Sequence, residues 1–370
     1  MSEKVTFPQM MFAIVLFNFG SSVVIGISDD VAQDTWVAIV LAAVLAAPLF
    51  LVYARLFKLF PERDLFQIMR TVFGNVGGKI LTVLFIWYTV HLAALVLRNF
   101  SEFTQITAMP ETPQLPIMII MILTTVYFAR SGMRTIGKWS MVVVFAVMAV
   151  VFLTFVAAIP QLEFDILMPF FESPPEKIGK TTMQVFSYPY AETVVFLGLA
   201  SSFKKKDSPY KLFIYSLLMV LAAFIVVFLR NVTLLGTTLS SLNYFPSYVT
   251  ARIIGIGDFL ARIEGSISSN FLFAGIVKIT ACLLVAGKGV ASLFDLDHYR
   301  PVILPIGLLI MALCAILYKS TMEMFAFIAY YPFYAFPFQV LIPLIVWIGG
   351  EIHVKKQNQK QKQKQNDAAA

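Results

Sequence analysis

Apolar runs close to a bilayer-spanning length recur along the whole chain, separated by short polar segments. A helix needs roughly 20 apolar residues to cross the hydrocarbon core of a bilayer. The pattern predicts an all-α polytopic membrane protein with about ten transmembrane helices. The first five lie near Gln9–Ile27, Trp36–Phe57, Ile80–Phe100, Leu115–Ala129 and Trp139–Ile159. The second five lie near Thr181–Ser201, Lys211–Leu234, Ser268–Gly287, Pro301–Tyr318 and Phe325–Gly349. The tenth contains Pro332, Pro337 and Pro343, so its ends are the least sharply marked. No stretch between the runs has domain size. The chain therefore reads as one transmembrane domain over 1–354, with halves at about 9–159 and 181–349, followed by a tail at 355–370. A signal peptide is not the reading for the first run. Asn18, Gly20, Ser21 and Ser22 fall in its middle, and no small-residue cleavage site precedes Asp29.

Two runs are interrupted. The sixth contains Ser187-Tyr188-Pro189-Tyr190-Ala191-Glu192. Proline removes a backbone donor and clashes with the preceding turn, so a kink or an unwound stretch is expected there. Unwound backbone at membrane depth is tolerated only where protein or a cavity shields it. The first run is interrupted at Asn18-Phe19-Gly20-Ser21-Ser22, with Gly26 further on. Corresponding interruptions in two halves indicate an inverted five-plus-five repeat with a midplane site. Freed half-helix N-termini favour an anionic group such as a carboxylate. The plainer readings are a proline kink with Glu192 reaching an interface, and small-residue helix packing at Asn18–Ser22.

Ionisable residues inside the runs narrow the candidates. Lys278 sits mid-span in the eighth, where a lone ammonium needs a partner or water. It could replace a coupling cation, titrate as protons move, or form a structural ion pair with Glu192. His91, one turn after Tyr88 on the third span, is either a proton relay or a hydrogen-bonded packing residue. Arg98 and Arg230 lie near span ends and are expected to snorkel to an interface.

Composition agrees with the pattern. Of 370 residues, 59% are hydrophobic and 13% are charged, with mean hydropathy +0.81. Soluble domains carry about 25% charged residues. Lys and Arg cluster after the even-numbered spans, as in Arg55–Lys79, Arg130–Lys138 and Lys204–Lys211, whereas Ser28–Thr35 has none. The positive-inside rule then places both termini in the cytoplasm. That topology, not nucleic-acid binding, accounts for the net charge of +7. Asp64–Phe73 reads as a surface amphipathic helix. Tyr248–Ile267 reads as an external lid or docking surface, or equally as an interfacial helix packed on the bundle. The tail Lys355–Asn366 alternates lysine with glutamine and asparagine, cannot bury a core, and is expected to be disordered and to touch anionic lipid. Cys282 and Cys314 sit in apolar runs as packing residues. There is no phosphate-binding loop, no metal-spaced His/Cys/Asp/Glu cluster and no nucleophile elbow. No cofactor and no enzymatic activity are expected.

Four features in order resemble a known family: the Ser2-Glu3-Lys4 start, the broken first span, the Tyr188-Pro189-Tyr190-Ala191-Glu192 break and Gly257-Asp258-Phe259-Leu260-Ala261-Arg262-Ile263-Glu264. Together they resemble the spore germination permeases, the B subunits of nutrient germinant receptors, across nearly the whole chain. That family belongs to the amino acid–polyamine–organocation superfamily. The resemblance implies the five-plus-five fold, an inner spore membrane or cell membrane location, A and C subunits as partners, and recognition of a small nutrient such as an amino acid. A sensor, a proton- or sodium-coupled amino acid carrier and, more weakly, a channel fit the same pocket. Its expected residues are Asn18, Gly20, Ser21, Ser22, Ser187, Tyr188, Tyr190 and Glu192, with Lys278 and His91 in coupling or ion-pair roles. Half-helix ends would take a ligand carboxylate, Glu192 an ammonium, and Tyr188 or Tyr190 would close the site. On this reading Glu192→Gln impairs ligand response more than folding.

Overall fold

A computed structural model describes residues 4–25, 31–254 and 263–369. Twelve helices follow in order: α1 Phe7–Ile25, α2 Thr35–Leu59, α3 Leu65–Thr107, α4 Gln114–Ser131, α5 Met133–Ala158, α6 Pro175–Ser187, α7 Pro209–Leu242, α8 Pro246–Ile253, α9 Ile263–Leu293, α10 Arg300–Ile316, α11 Thr321–Phe336 and α12 Ile342–Ala369. A 3-10 helix at Tyr190–Ser202 follows α6, and a π-helical turn at Pro337–Leu341 joins α11 to α12. Among the described residues there is no strand, only an isolated bridge between Val5 and Phe203. Seven helical segments there are long and apolar enough to cross a membrane, and two shorter apolar ones begin at Phe7 and Arg300.

The amphipathic segment at Asp64–Phe73 is the first part of α3. Asp64 caps it through a reciprocal box with Gln67. Gly74, at φ 73°, then turns the chain into the span itself, a conformation that residues with a Cβ rarely adopt. Leu65, Phe66, Ile68 and Met69 are buried against the bundle. At the far side of this corner Arg70 bonds Asp295 at 2.5 Å, and that bond holds the Asp295 carboxyl below its usual range.

Helix α9 is the axis of the bundle: 78% of its apolar window is buried, more than in the other candidate spans. It packs on α1, α3, α4, α5, α8 and α10, and on the 3-10 helix. Whatever α9 carries at mid-length is therefore inside the protein.

Several expectations change. Helix α1 runs unbroken through Asn18–Ser22 to Ile25. No proline forces a break, and the Asn18 amide bonds back to the Ile14 carbonyl at 2.8 Å, within the helix. Gly26 lies outside the described residues. The tail from 355 continues α12 to Ala369 instead of leaving it, because lysine and glutamine are good helix formers and no Gly or Pro intervenes. Arg230 does not snorkel: it is 1% exposed. Helix α8 packs on the bundle through buried Ser247 and Thr250, while residues 257–262 of the Gly257–Glu264 segment lie outside the described residues.

Candidate functional site

The break in the sixth span is present. Helix α6 stops at Ser187, Tyr188 is extended at φ −133° and ψ 105°, and Pro189 has no amide hydrogen with which to continue the ladder. The chain resumes as the 3-10 helix, whose stretch Thr193-Val194-Val195 is β-branched and a modest helix former. The end of that helix is strapped by the N-terminus: Val5 N–H donates to Ser202 O at 3.0 Å, and Lys4 Nζ to Ser201 O at 2.9 Å.

Glu192 lies in the first turn after the break and is fully buried. Its Oε2 accepts from Lys278 Nζ of α9 at 2.5 Å, and its Oε1 from Tyr331 OH of α11 at 2.7 Å. Lys278 is also fully buried, and its ammonium stands 5.2 Å from the ring centroids of both Phe17 and Tyr188. Aromatic faces attract a cation, and the attraction grows when both are dry. The ammonium is thus held by one carboxylate and two rings. An isolated charge at this depth would be very costly, so the two side chains compensate each other in the interior.

A second set of bonds holds the break itself. Gln339, in the π-helical turn, donates from Nε2 to Ser187 O at 2.8 Å and to Tyr88 OH at 3.0 Å. Its Oε1 accepts from Ser187 Oγ at 2.8 Å, and its backbone carbonyl accepts from Tyr53 OH at 2.8 Å. Carbonyls at a helix end need partners from outside the helix. The Gln339 side chain supplies one for Ser187.

Of the residues expected from sequence, Ser187, Tyr188, Glu192 and Lys278 come together. Asn18 joins from behind, its Nδ2 donating to Thr193 Oγ1 at 2.9 Å. Gly20 touches the lysine stem instead of a ligand space: a Cβ there would lie 2.5 Å from Lys278 Cδ. Ser22 is buried, its hydroxyl without a partner among the described residues, and the Ser21 side chain lies outside them. Tyr190 is buried against Phe224, 5.8 Å between centroids. His91 stands apart from the pair, stacked on Trp87 at 5.5 Å and edge-on to Tyr334 at 4.9 Å, its Nδ1 without a hydrogen bond. Arg98 does not snorkel; it pairs with Glu102, Nη2 to Oε1 at 2.6 Å.

Sequence reasoning missed Tyr331, Gln339 and Tyr53. A signal existed for Gln339: it is the one polar side chain in Pro337–Leu341, deep inside an apolar run. Tyr331 and Tyr53 carry no such mark among the chain's 14 tyrosines.

A cavity of about 40 Å³ adjoins the break, walled by Asn99, Tyr188, Glu192, Tyr318 and Tyr331 together with apolar side chains such as Leu95 and Phe327. It would take a few waters at most; ligand pockets are typically ~300 Å³ or more. A nutrient-sized ligand needs this space to widen. Gly20→Ala is expected to push the Lys278 stem aside at a cost of about 1–3 kcal/mol, read as a lower unfolding temperature in detergent. An unchanged temperature would mean that α1 does not hold the lysine.

Comparison with known proteins adds the family context. A family model described as spore germination protein matches residues 4–324. Spore germination protein KB of Bacillus subtilis (strain 168) is 22% identical over 367 residues, covering 96% of this chain and 97% of that protein. Among solved structures, the nucleobase-cation-symport-1 family transporter MHP1, closed with bromovinylhydantoin bound, matches with TM-score 0.64 at 14% identity, covering 92% of this chain and 78% of the other. A sodium-coupled sialic acid symporter, substrate-bound and outward-open, matches with TM-score 0.65 at 11% identity, covering 94% and 89%. Both likenesses show the fold, a membrane helical bundle of transporter type as expected from the sequence.

Proposed function

The chain belongs to the spore germination protein family, as an integral membrane protein of transporter type, and from that premise we propose that it is the nutrient-binding subunit of a germinant receptor. Its ligand is a small zwitterion, an amino acid by preference, bound beside the break after Ser187. The subunit works with A and C partners in the inner membrane of the spore, both termini cytoplasmic.

One observation carries this reading. At the interrupted helix, next to a cavity, a dry carboxylate and a dry ammonium face each other, Glu192 and Lys278. A ligand that brings its own ammonium and carboxylate can exchange partners with such a pair and leave no charge uncompensated. An uncharged ligand gains nothing from the exchange. Binding would separate Glu192 from Lys278 and so shift α9 and the 3-10 helix relative to each other. Only such a difference in affinity between two states can turn binding into a signal.

The test is germination of spores lacking only this gene, across single amino acids, sugars and nucleosides. Loss of one amino acid response, restored by the wild-type gene, is expected. Loss confined to a sugar or nucleoside would refute the zwitterion assignment. A second reading, a carrier coupled to protons or sodium, is favoured by the same pair, since an acid and a base in contact at the core can exchange a proton. Saturable uptake of the amino acid into proteoliposomes would decide for the carrier.

A further inference from the structure

Three lysine or arginine side chains are buried within the helices of the described residues: Arg98, Lys278 and Arg230. Arg98 pairs with Glu102 and Lys278 with Glu192. Arg230, on α7, has no carboxylate partner among the described residues. Its Nη1 donates to Thr154 Oγ1 at 2.6 Å, and its Nε and Nη2 donate to the single Asn231 Oδ1 at 3.2 and 2.8 Å. A guanidinium has five N–H donors and cannot be deprotonated in a protein. Three bonds leave two donors and the whole charge uncompensated.

One of its two acceptors is already crowded. Asn231 Oδ1 also takes Thr250 Oγ1 at 3.2 Å, while Asn231 Nδ2 donates to Ser247 Oγ at 3.0 Å. These neutral groups orient the arginine without balancing it. Arg230 lines a cavity of about 30 Å³ that it shares with Ser247 and Asn270. Apolar Phe19, Val151, Phe271 and Ala274 form much of the rest of the wall.

We propose that this cavity is an anion site, occupied by a halide-sized monovalent anion held by Arg230. Size and charge both select the ligand. About 30 Å³ accommodates something of the order of one or two waters, which excludes an amino acid and admits chloride. A buried charge in such surroundings is expected to be paired. One negative charge neutralises the arginine, and the Asn270 amide adds a polar contact on an otherwise apolar wall. The site also adjoins the central pair. Ala274 is one helical turn before Lys278 on α9, about 6 Å along the axis, and Phe19 precedes Gly20, which touches the lysine stem. The inference is independent of the nutrient reading, because it concerns a different cavity and a different charge.

The test is thermal unfolding of the full chain in detergent as sodium gluconate is exchanged for sodium chloride at constant ionic strength. The wild-type protein is expected to gain about 2–5 °C, saturably, with chloride and with bromide. Arg230→Gln is expected to lose that gain. Equal unfolding temperatures in chloride and gluconate, or the same saturable gain in Arg230→Gln, would overturn the proposal. Should that variant fail to fold, radiolabelled chloride binding to the wild-type protein decides: about one site per chain supports it, and no saturable binding refutes it. Asp258→Asn tests one further source of charge, a carboxylate of the chain itself. An unaltered chloride response supports the anion, whereas a chloride gain that emerges only in Asp258→Asn assigns the counter-charge to Asp258 and overturns it.

Discussion

Glu192→Gln is expected to destabilise the protein by about 3–5 kcal/mol, because it leaves the Lys278 ammonium buried without its carboxylate. The sequence alone leads to the expectation that this change impairs ligand response more than folding; the geometry adds a large cost to folding, since both side chains are sealed from solvent and in direct contact. Two rings and a glutamine cannot replace a full negative charge. Lys278→Met is expected to fare little better, since Glu192 then keeps only the Tyr331 hydroxyl as a donor. The double variant Glu192→Gln/Lys278→Met should recover most of the loss, because replacing both members of a buried pair is often close to neutral. Unfolding temperatures of the four proteins form a cycle that isolates the coupling. A single Glu192→Gln protein as stable as wild type would mean that the pair is not formed.

The same cycle separates stability from recognition. The double variant, folded and at normal abundance, should fail to respond to the nutrient, since neither charge remains to meet the ligand's. A normal dose-response in it would remove Glu192 and Lys278 from the binding site while leaving their structural role intact. Glu192→Gln alone cannot make this distinction, because a poorly folded protein is also silent.

Much of the fold was legible because the bilayer imposes a length on each run. The amphipathic start of α3 was visible in the period of Leu65, Phe66, Ile68 and Met69, and the corner at Gly74 follows from it. The break after Ser187 was legible because Pro189 cannot donate, a local fact that no tertiary contact reverses. The supposed break at Asn18–Ser22 was not of that kind. Small and polar residues permit an unwound stretch but do not force one, and here Asn18 bonds within its own helix while Gly20 makes room for Lys278. The pairing of Glu192 with Lys278 could be suspected from depth alone, because two lone charges inside apolar runs need each other. The same argument failed for Arg230, which lies near the sequence end of its apolar run. Its burial depends on how α5 and α8 close around α7, and that is a property of packing, not of the run.

Gln339→Leu is expected to cost about 2–4 kcal/mol, although leucine matches the glutamine closely in size and hydrophobicity favours it. The side-chain amide makes three bonds in a dry interior, and two of its partners belong to Ser187, the last residue of α6. Removing it leaves the Ser187 carbonyl and hydroxyl to be paid for in desolvation, at about 1–3 kcal/mol for each buried group without a partner. Tyr88 loses less, because its hydroxyl already lies 3.5 Å from Tyr331 OH and can turn to it. Ser187→Ala supplies the control. It strands the amide oxygen of Gln339 but keeps the carbonyl bond that ends the helix, so it should cost distinctly less. In combination with Gln339→Leu the losses should be sub-additive, since both changes break the same hydroxyl bond. If the clamp sets the position of the break, Gln339→Leu will also shift the nutrient concentration for half-maximal germination, and Ser187→Ala will shift it less in the same direction. Equal stability losses in the two variants, or a shift with Ser187→Ala alone, would mean that the end of α6 is held by its packing and not by Gln339.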